Sequence, residues 1–442
     1  MPTVGDRITA RIVSLTPEWE GVGVFDGDLQ VRVPGGWPGD VVACALLARS
    51  RQHGHWFGRL MRVVAHGVHR EPEVCPVREA CGGCPGLSIP YESQVAWKRD
   101  RLRALFPGAA FVPAPRPLGW RDKVKWIVGT GSAGGPDANG RPTVGFWRHG
   151  THRFLPVPAC AQLAAPLADL AARLPAVLLD LAPWDETTKT GLVRAVMAKC
   201  NTADEVLITF VVAARPDPGE TARLAAAGAL PGVTGVTCNL KSGHGNRLAG
   251  DEEWTLAGAD CLKESDHPHG FFVTASGFSQ AHHAMAKAAI DAIVAAMGPP
   301  QGLPVLELFC GAGPIALALA ATGHTVTGVE LDGRAIALAR RVAPTLSWRA
   351  ADVNRTDELP VPDGPFQLVV NPPRAGLSGA LVEWITRRPV RQLVYMSCNP
   401  QTLARDAALL MRNSFQLDTL TGFDMFPQTP WFETVAVFFR QE

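Results

Sequence analysis

The sequence predicts a multidomain α/β protein: a small amino-terminal β-barrel, a mixed α/β middle, and a carboxyl-terminal parallel sheet wound with helices on both faces. Three observations carry that prediction. Residues 6–44 alternate apolar and polar positions between glycine turns. From Pro304 onward a unit repeats in which a short apolar run ends in a ligand-type residue and a helix follows. The chain also has 442 residues, more than one hydrophobic core usually organises.

The barrel is read from Asp6–Val13, Gly21–Phe25, Leu29–Val33 and Asp40–Cys44, which suit a small five-stranded barrel over residues 1–66, one that resembles barrels of the oligonucleotide-binding type. Alternation alone fits an RNA-binding barrel and a plain cap equally well, because fold does not give function. Residues 67–108 follow, with Cys75, Cys81 and Cys84 in a C-x5-C-G-G-C pattern, and Cys160 as a distant fourth thiol. Zinc usually takes two paired C-x2-C knuckles, whereas three clustered cysteines and a remote one suit a [4Fe-4S] cluster, so spacing favours iron and sulfur. A disulfide framework is a poor reading for 10 cysteines in 442 residues with no secretory leader, and a reduced, cytoplasmic protein is expected. Cys44, Cys200, Cys238, Cys261 and Cys310 are read as core fillers.

Tyr91–Leu105 reads as a helix whose Lys98, Arg99, Arg101 and Arg103 face either phosphates or solvent. The central α/β region, residues 109–268, has strand-like runs at Lys123–Val128, Val144–Arg148, Leu192–Lys199 and Val206–Val212. A hairpin loop is expected at Gly131–Pro136, and a helix at Ala222–Leu230 after the Arg215–Pro218 junction. Arg121, Lys123, Lys125, Arg148 and Arg153 interleave with Trp120, Trp126, Phe146 and Trp147. Such interleaving suits a stacking surface for unpaired bases, and equally a sheet with aromatics inside and cations on its wet face.

In the last domain, residues 269–442, Pro304–Leu308 is a strand that breaks into Gly311 and Gly313 before an alanine-rich helix, Ile315–Ala321. The glycines let backbone approach a ligand beside a helix amino terminus. Thr325–Glu330 is a second strand whose acid lies 19 residues past Gly311, where a carboxylate can accept ribose hydroxyls. A third unit, Trp348–Asp352, offers Asp352 near the adenine, and a helix is expected at Gly333–Arg341. The fourth, Phe366–Arg374, ends in Asn371-Pro-Pro-Arg374, and Gln392–Met396 leads into Ser397-Cys-Asn-Pro400. A dinucleotide fingerprint tolerates alanine at Ala316, so the glycine loop alone admits a dehydrogenase. Hydride transfer has no use for the last two strand ends, and a Rossmann-like methyltransferase domain using S-adenosylmethionine is the better reading. Cys398, at the carboxyl end of its strand, is then a candidate nucleophile.

Over almost its whole length the chain resembles the RNA uridine-5-methyltransferases of class I, and most closely the 23S ribosomal RNA branch. The matching pieces are Gly277–Ala281, Leu308–Gly313, Gly328–Glu330, Asn371–Gly376, Ser397–Pro400 and Asp424–Thr429 with Glu433. The resemblance implies that Gln280, Phe309, Glu330 and Asn371 line the cofactor site, that Cys398 is the nucleophile, and that Glu433 is the general base. It also implies that the barrel is a TRAM domain and that Cys75, Cys81, Cys84 and Cys160 hold a [4Fe-4S] cluster. The chemistry explains the residue types. C5 of uracil becomes nucleophilic only after a thiolate adds to C6, and the adduct is released when a base removes the C5 proton.

Two positions depart from the family pattern. Asn371 stands where aspartate is usual, and an amide can donate as well as accept, which would suit cytosine N3. Pro314 stands where a polar residue is commoner. The formal net charge is only +1, so RNA contact requires a local basic patch, expected in the amino-terminal region through Arg153. No run of about 18 apolar residues is present, so no membrane span is expected. The expected activity is methylation of C5 in an unpaired or flipped uridine of 23S ribosomal RNA by a monomeric enzyme. The alternatives are a transfer RNA uridine, an RNA cytosine, and a non-catalytic RNA-binding or ribosome assembly factor.

Overall fold

The computed structural model describes residues 2–131, 140–157, 159–243, 247–266 and 270–441. Two compact units emerge, Met1–Lys98 with Phe426–Pro430, and Arg99–Met425 with Trp431–Glu442. The hairpin expected at Gly131–Pro136 lies, beyond Gly131, outside the described residues.

In the first unit, β1 (Arg7–Leu15), β2 (Glu20–Phe25), β3 (Leu29–Pro34), β4 (Val41–Arg49) and β5 (Trp56–Ala65) close into a barrel in the order β1-β2-β3-β5-β4. Alternation sends Ala10, Ile12, Val31, Val33, Val42, Cys44 and Leu46 into its core. Buried Asp40 ties the β3–β4 connection by accepting from Trp37 N and Gly67 N, each at 2.8 Å. A single helical turn, α1 (Arg78–Cys81), precedes α2 (Tyr91–Leu105), which has the bounds the sequence predicts. Lys98 on α2 corrects the expectation of a fully basic outer face. It is 1% exposed, donates to Phe426 O at 3.0 Å and lies 5.5 Å from the Trp19 ring, so it is not available to phosphates.

The second unit opens with β6 (Ala110–Val112). A seven-stranded sheet comes next, of β7 (Lys123–Thr130), β8 (Pro142–Trp147), β9 (Phe154–Pro156), β10 (Val193–Cys200), β11 (Val206–Val212), β12 (Val233–Leu240) and β13 (Glu252–Gly258), ordered β13-β12-β11-β10-β7-β8-β9. The helices α3 (Ala165–Leu178) and α4 (Pro218–Ala225) contribute Leu167, Leu170, Leu174 and Leu224 to its core. The helix expected at Ala222–Leu230 begins earlier, because Asp217 and Glu220 form a capping box and Pro218 occupies the first turn, and it tightens to a 3-10 turn at Ala226–Ala229. Trp126 is fully buried, and Trp120 and Lys123 are each 6% exposed. All three are buried, Trp126 within the sheet core, so none is free to stack on bases.

A two-stranded sheet, β14 (Leu262–Glu264) and β15 (Phe271–Val273), leads to α5 (His283–Met297). The remaining elements are β16 (Val305–Leu308), α6 (Pro314–Ala321), β17 (Val326–Glu330), α7 (Gly333–Val342), β18 (Ser347–Ala350), β19 (Phe366–Val370), α8 (Gly379–Arg387), β20 (Val390–Ser397), α9 (Pro400–Met411), β21 (Phe415–Phe423) and β22 (Glu433–Arg440). With β6 the strands form a sheet ordered β18-β17-β16-β19-β20-β22-β21-β6. From β18 to β20 the strands are parallel, and their order reverses direction between β16 and β19, the switch point where open α/β sheets bind ligands. The strands β16, β19 and β20 are buried on both faces, as central parallel strands are.

A buried acid fixes the loop beyond β19. Asp406 of α9 accepts from Leu377 N and from Tyr395 Oη on β20, both at 2.8 Å. A Tyr395→Phe protein should lose about 1.5–3 kcal/mol, the usual worth of a hydrogen bond to a charged group. Urea unfolding followed by tryptophan fluorescence measures that loss, and an unchanged midpoint would show the bond to be dispensable.

Candidate active site

At the switch point the chain between β16 and α6 adopts an unusual backbone. Phe309 has φ 62° and Gly311 and Gly313 have φ 57° and 81°. A β-carbon on Gly313 would lie 2.4 Å from the Trp348 ring, so only glycine fits there. Pro314 opens α6 at a position whose N–H would be unsatisfied anyway, which explains how the chain accommodates this departure.

This loop borders a cleft of about 740 Å³, open mouth included. Gln280, Phe309, Gly311 and Asn371 line it, together with Pro314, Phe278, Glu264 and Glu307. Glu330 stands just behind, accepting from Gly311 N at 3.1 Å and from Asp332 N at 2.9 Å. Asp352 caps its own turn through Asn354 N at 2.9 Å, and neither it nor Gly313 lines the cleft.

Cys398 and Glu433 come together through strand register. Ser397 on β20 pairs with Thr434 on β22, and Thr434 Oγ1 donates to Ser397 O at 3.0 Å, so the next residue on each strand end faces its partner. Glu433 is 3% exposed and Cys398 is half-buried. Gln280 Nε2 reaches Glu433 Oε1 at 3.5 Å, joining the pair to the cleft. Burial pushes the Glu433 carboxyl up to about 8, against the pull of Gln280 and Arg374. Burial and then the Glu433 charge raise the Cys398 thiol, and Arg374 draws it back down.

Arg374 is the cation beside the thiol that the sequence did not single out. Its guanidinium lies 5.1 Å from the Trp431 ring centre, while its carbonyl accepts from Asn399 Nδ2 at 3.2 Å and Thr402 Oγ1 at 3.3 Å. The Asn-Pro-Pro-Arg loop is thereby stitched to the Ser-Cys-Asn-Pro segment. Away from the cleft, Cys75, Cys81 and Cys84 stand half-buried in and around α1 of the first unit. Cys160, also half-buried, packs on the core of the second.

Residues 305–377 match a model described as a methyltransferase domain, and residues 352–441 match one described as tRNA (uracil-5-)-methyltransferase. An uncharacterized RNA methyltransferase of Thermosynechococcus vestitus is 31% identical over 455 residues, spanning 98% of each chain. The chain belongs to the RNA uracil-5-methyltransferase family. A second relative, an uncharacterized RNA methyltransferase of Gloeobacter violaceus, is 28% identical over 452 residues, covering 99% of this chain and 97% of that protein. The fold is shared with the Pyrococcus abyssi tRNA (uracil-54, C5)-methyltransferase in complex with S-adenosyl-L-homocysteine, at TM-score 0.77 and 22% identity over 98% of this chain and all of the other.

As an S-adenosylmethionine-dependent RNA methyltransferase, the protein needs a cleft for a nucleoside with a cationic tail, and its residues fit. Exposed backbone at Gly311 allows close approach. Glu307, 1% exposed, has an Oε2 without a hydrogen-bond partner among the described residues, and burial raises its carboxyl to about 8. Lys123, another site residue whose role the sequence hides, donates to Thr274 O at 3.4 Å, to Ser279 Oγ at 3.2 Å and to Gly277 O. It therefore holds the segment that presents Phe278 and Gln280. The sequence signal for Arg374 was its place in the Asn-Pro-Pro-Arg motif, whereas Glu307 sits mid-strand with no motif of its own.

If Arg374 holds the thiol down, Arg374→Met should slow alkylation of Cys398 by iodoacetamide at pH 8 roughly 3- to 10-fold, as a loss of thiolate fraction dictates. Mass spectrometry of the Cys398 peptide reads this, and an unchanged rate would remove Arg374 from that role.

Proposed function

We propose that this RNA methyltransferase methylates C5 of a uridine in 23S ribosomal RNA through a covalent adduct between Cys398 and C6. The juxtaposition of Cys398, Glu433 and Arg374 at the ends of β20 and β22, beside the cleft, carries this reading. S-adenosylmethionine, when bound, supplies an electrophilic methyl group on a sulfonium. Gln280, Phe309, Gly311, Gly313, Glu330, Asp352 and Asn371 would hold it. Cys398, as its thiolate, would add to C6 and push electron density to C5, which would take the methyl group as its bond to the sulfonium sulfur breaks and the neutral thioether leaves. Glu433 then removes the C5 proton, the C6–S bond breaks, and the thiolate returns.

The residues around α1 support a metal cluster by their donor chemistry: three thiols from one turn and its flanks, with Cys160 as the fourth of a [4Fe-4S] set. In this reading residues 1–66 form a TRAM-type barrel that grips RNA, residues 67–108 with Cys160 hold the cluster, residues 109–268 bind RNA, and residues 269–442 carry out the transfer. The enzyme acts as a cytoplasmic monomer on an unpaired base. A cytosine target is the second reading, because Asn371 lines the cleft where its amide could donate to cytosine N3. Transfer RNA also stays in view through the name of the matched family model.

Incubation with labelled cofactor and unmodified 23S ribosomal RNA should yield labelled 5-methyluridine, and Cys398→Ala should abolish it. Label in 5-methylcytidine, or on transfer RNA alone, would replace the substrate assignment. Glu433→Gln should leave adduct formation intact and release blocked, seen as an RNA–protein complex that survives denaturing electrophoresis. A base works only after losing its proton, and burial keeps that proton on Glu433 up to about 8. Turnover should therefore rise with pH through that value in the native enzyme. Alanine at Cys81 should strip purified protein of iron and acid-labile sulfide together, and retention of both would exclude that ligand.

A further inference from the structure

One wall of the cleft comes from outside the methyltransferase sheet. Glu264, the last residue of β14, lines the cleft with Lys199 and His283 and is itself 1% exposed. Its Oε1 lies 2.8 Å from Lys199 Nζ. Lys199 Nζ also forms an ion pair with Asp122 Oδ1 at 3.1 Å and donates to Cys200 O at 2.9 Å. The other carboxylate oxygen of Glu264, Oε2, has no hydrogen-bond partner among the described residues. His283 Nδ1 stands 3.5 Å from it, outside hydrogen-bonding geometry, while His283 Nε2 is engaged by Asp266 Oδ2 and His283 N by Asp122 Oδ2 at 3.0 Å.

Three acids, Asp122, Glu264 and Asp266, gather around Lys199 and His283. A buried carboxylate oxygen left without a donor is costly, and a bound cation would relieve it. Glu307 brings a second such oxygen to the same cleft.

We propose that Glu264 is a cofactor-binding residue whose Oε2 accepts a hydrogen bond from the α-ammonium at the amino-acid end of S-adenosylmethionine. Lys199 is its positioning residue, fixing the carboxylate through their ion pair at 2.8 Å. This assignment rests on the cleft being the cofactor site. A divalent metal is the competing occupant, since ligand atoms of Glu264, Asp266 and His283 lie within 4.8 Å of one another. The Lys199 ammonium at 2.8 Å disfavours a doubly charged ion more than a singly charged one that also donates N–H bonds.

The test is calorimetric titration of the full-length protein with two ligands. S-adenosylhomocysteine carries the α-ammonium, and 5′-methylthioadenosine has the same nucleoside and thioether without it. Glu264→Gln, checked for an unchanged melting profile, should weaken S-adenosylhomocysteine roughly tenfold or more, the scale of one charged hydrogen bond, and leave methylthioadenosine within about twofold. Equal losses for both ligands, or no loss for the first, would overturn the proposal. So would manganese binding to the native protein that Glu264→Gln abolishes, which would give the site to a metal. Native protein that binds neither nucleoside would remove the cofactor reading itself, and this assignment with it.

Discussion

The site depends on the pairing of one antiparallel strand with a parallel sheet. A parallel sheet alone ends each strand at the same edge, separated from the next by a helix, and offers one residue per strand end. Because β22 runs antiparallel beside β20, its first residue meets the last residues of its neighbour. Glu433, 35 positions from Cys398 in sequence, is thereby held against it by backbone hydrogen bonds rather than by a flexible loop. The Asp406 network then fixes the third participant, since the loop carrying Arg374 is anchored at Leu377 and through Arg405 to Ala375 O at 2.8 Å.

Around those strand ends the protein buries acids without satisfying all their oxygens. Glu433, Glu307 and Glu264 are each 3% exposed or less, and each has a carboxylate oxygen without a hydrogen-bond partner among the described residues. Folding alone would select against such groups, because each forfeits hydration without a compensating bond. Such oxygens at Glu307 and Glu264, both lining the cleft, suit the proposed ligand with its donors. Lys123 has the opposite character. Burial, with Lys125 and Lys199 nearby, lowers its ammonium to about 7, yet it keeps carbonyl and hydroxyl partners on the segment leading to Gln280. Structural bonds and ligand-directed vacancies are thus separated residue by residue.

Much of this was legible in the sequence wherever the signal was local. The glycine loop, the strand ends at Glu330, Asn371 and Cys398, and the bounds of the helix Tyr91–Leu105 all follow from short-range pattern and turn chemistry. The barrel strands were legible for the same reason. What pattern could not show was which alternating positions face inward. Lys123, Trp120 and Trp126 sit in a stretch that reads equally as wet or dry, Lys98 sits on a helix face read toward phosphates or solvent, and tertiary packing put all four inside. The contact of Arg374 with the thiol and the Glu264–Lys199 pairing were equally hidden. Each joins residues from separate elements, and only topology brings them together.

The same burial that raises both catalytic protons also orders the proposed reaction. The Glu433 charge adds to burial in raising the Cys398 thiol, so two full negative charges in this pocket are disfavoured. Burial keeps Glu433 protonated up to about 8, and while it is neutral the Cys398 thiol feels the pull of Arg374 without an opposing carboxylate. Bonding of sulfur to C6 removes the thiolate charge. A carboxylate that forms on Glu433 at the stage that calls for proton removal from C5 then meets no adjacent thiolate. A base exposed to solvent would be ionised throughout and would oppose thiolate formation from the outset. Deep burial of Glu433 thus serves the sequence of steps, with nucleophile first and base second, from a single pair of adjacent residues.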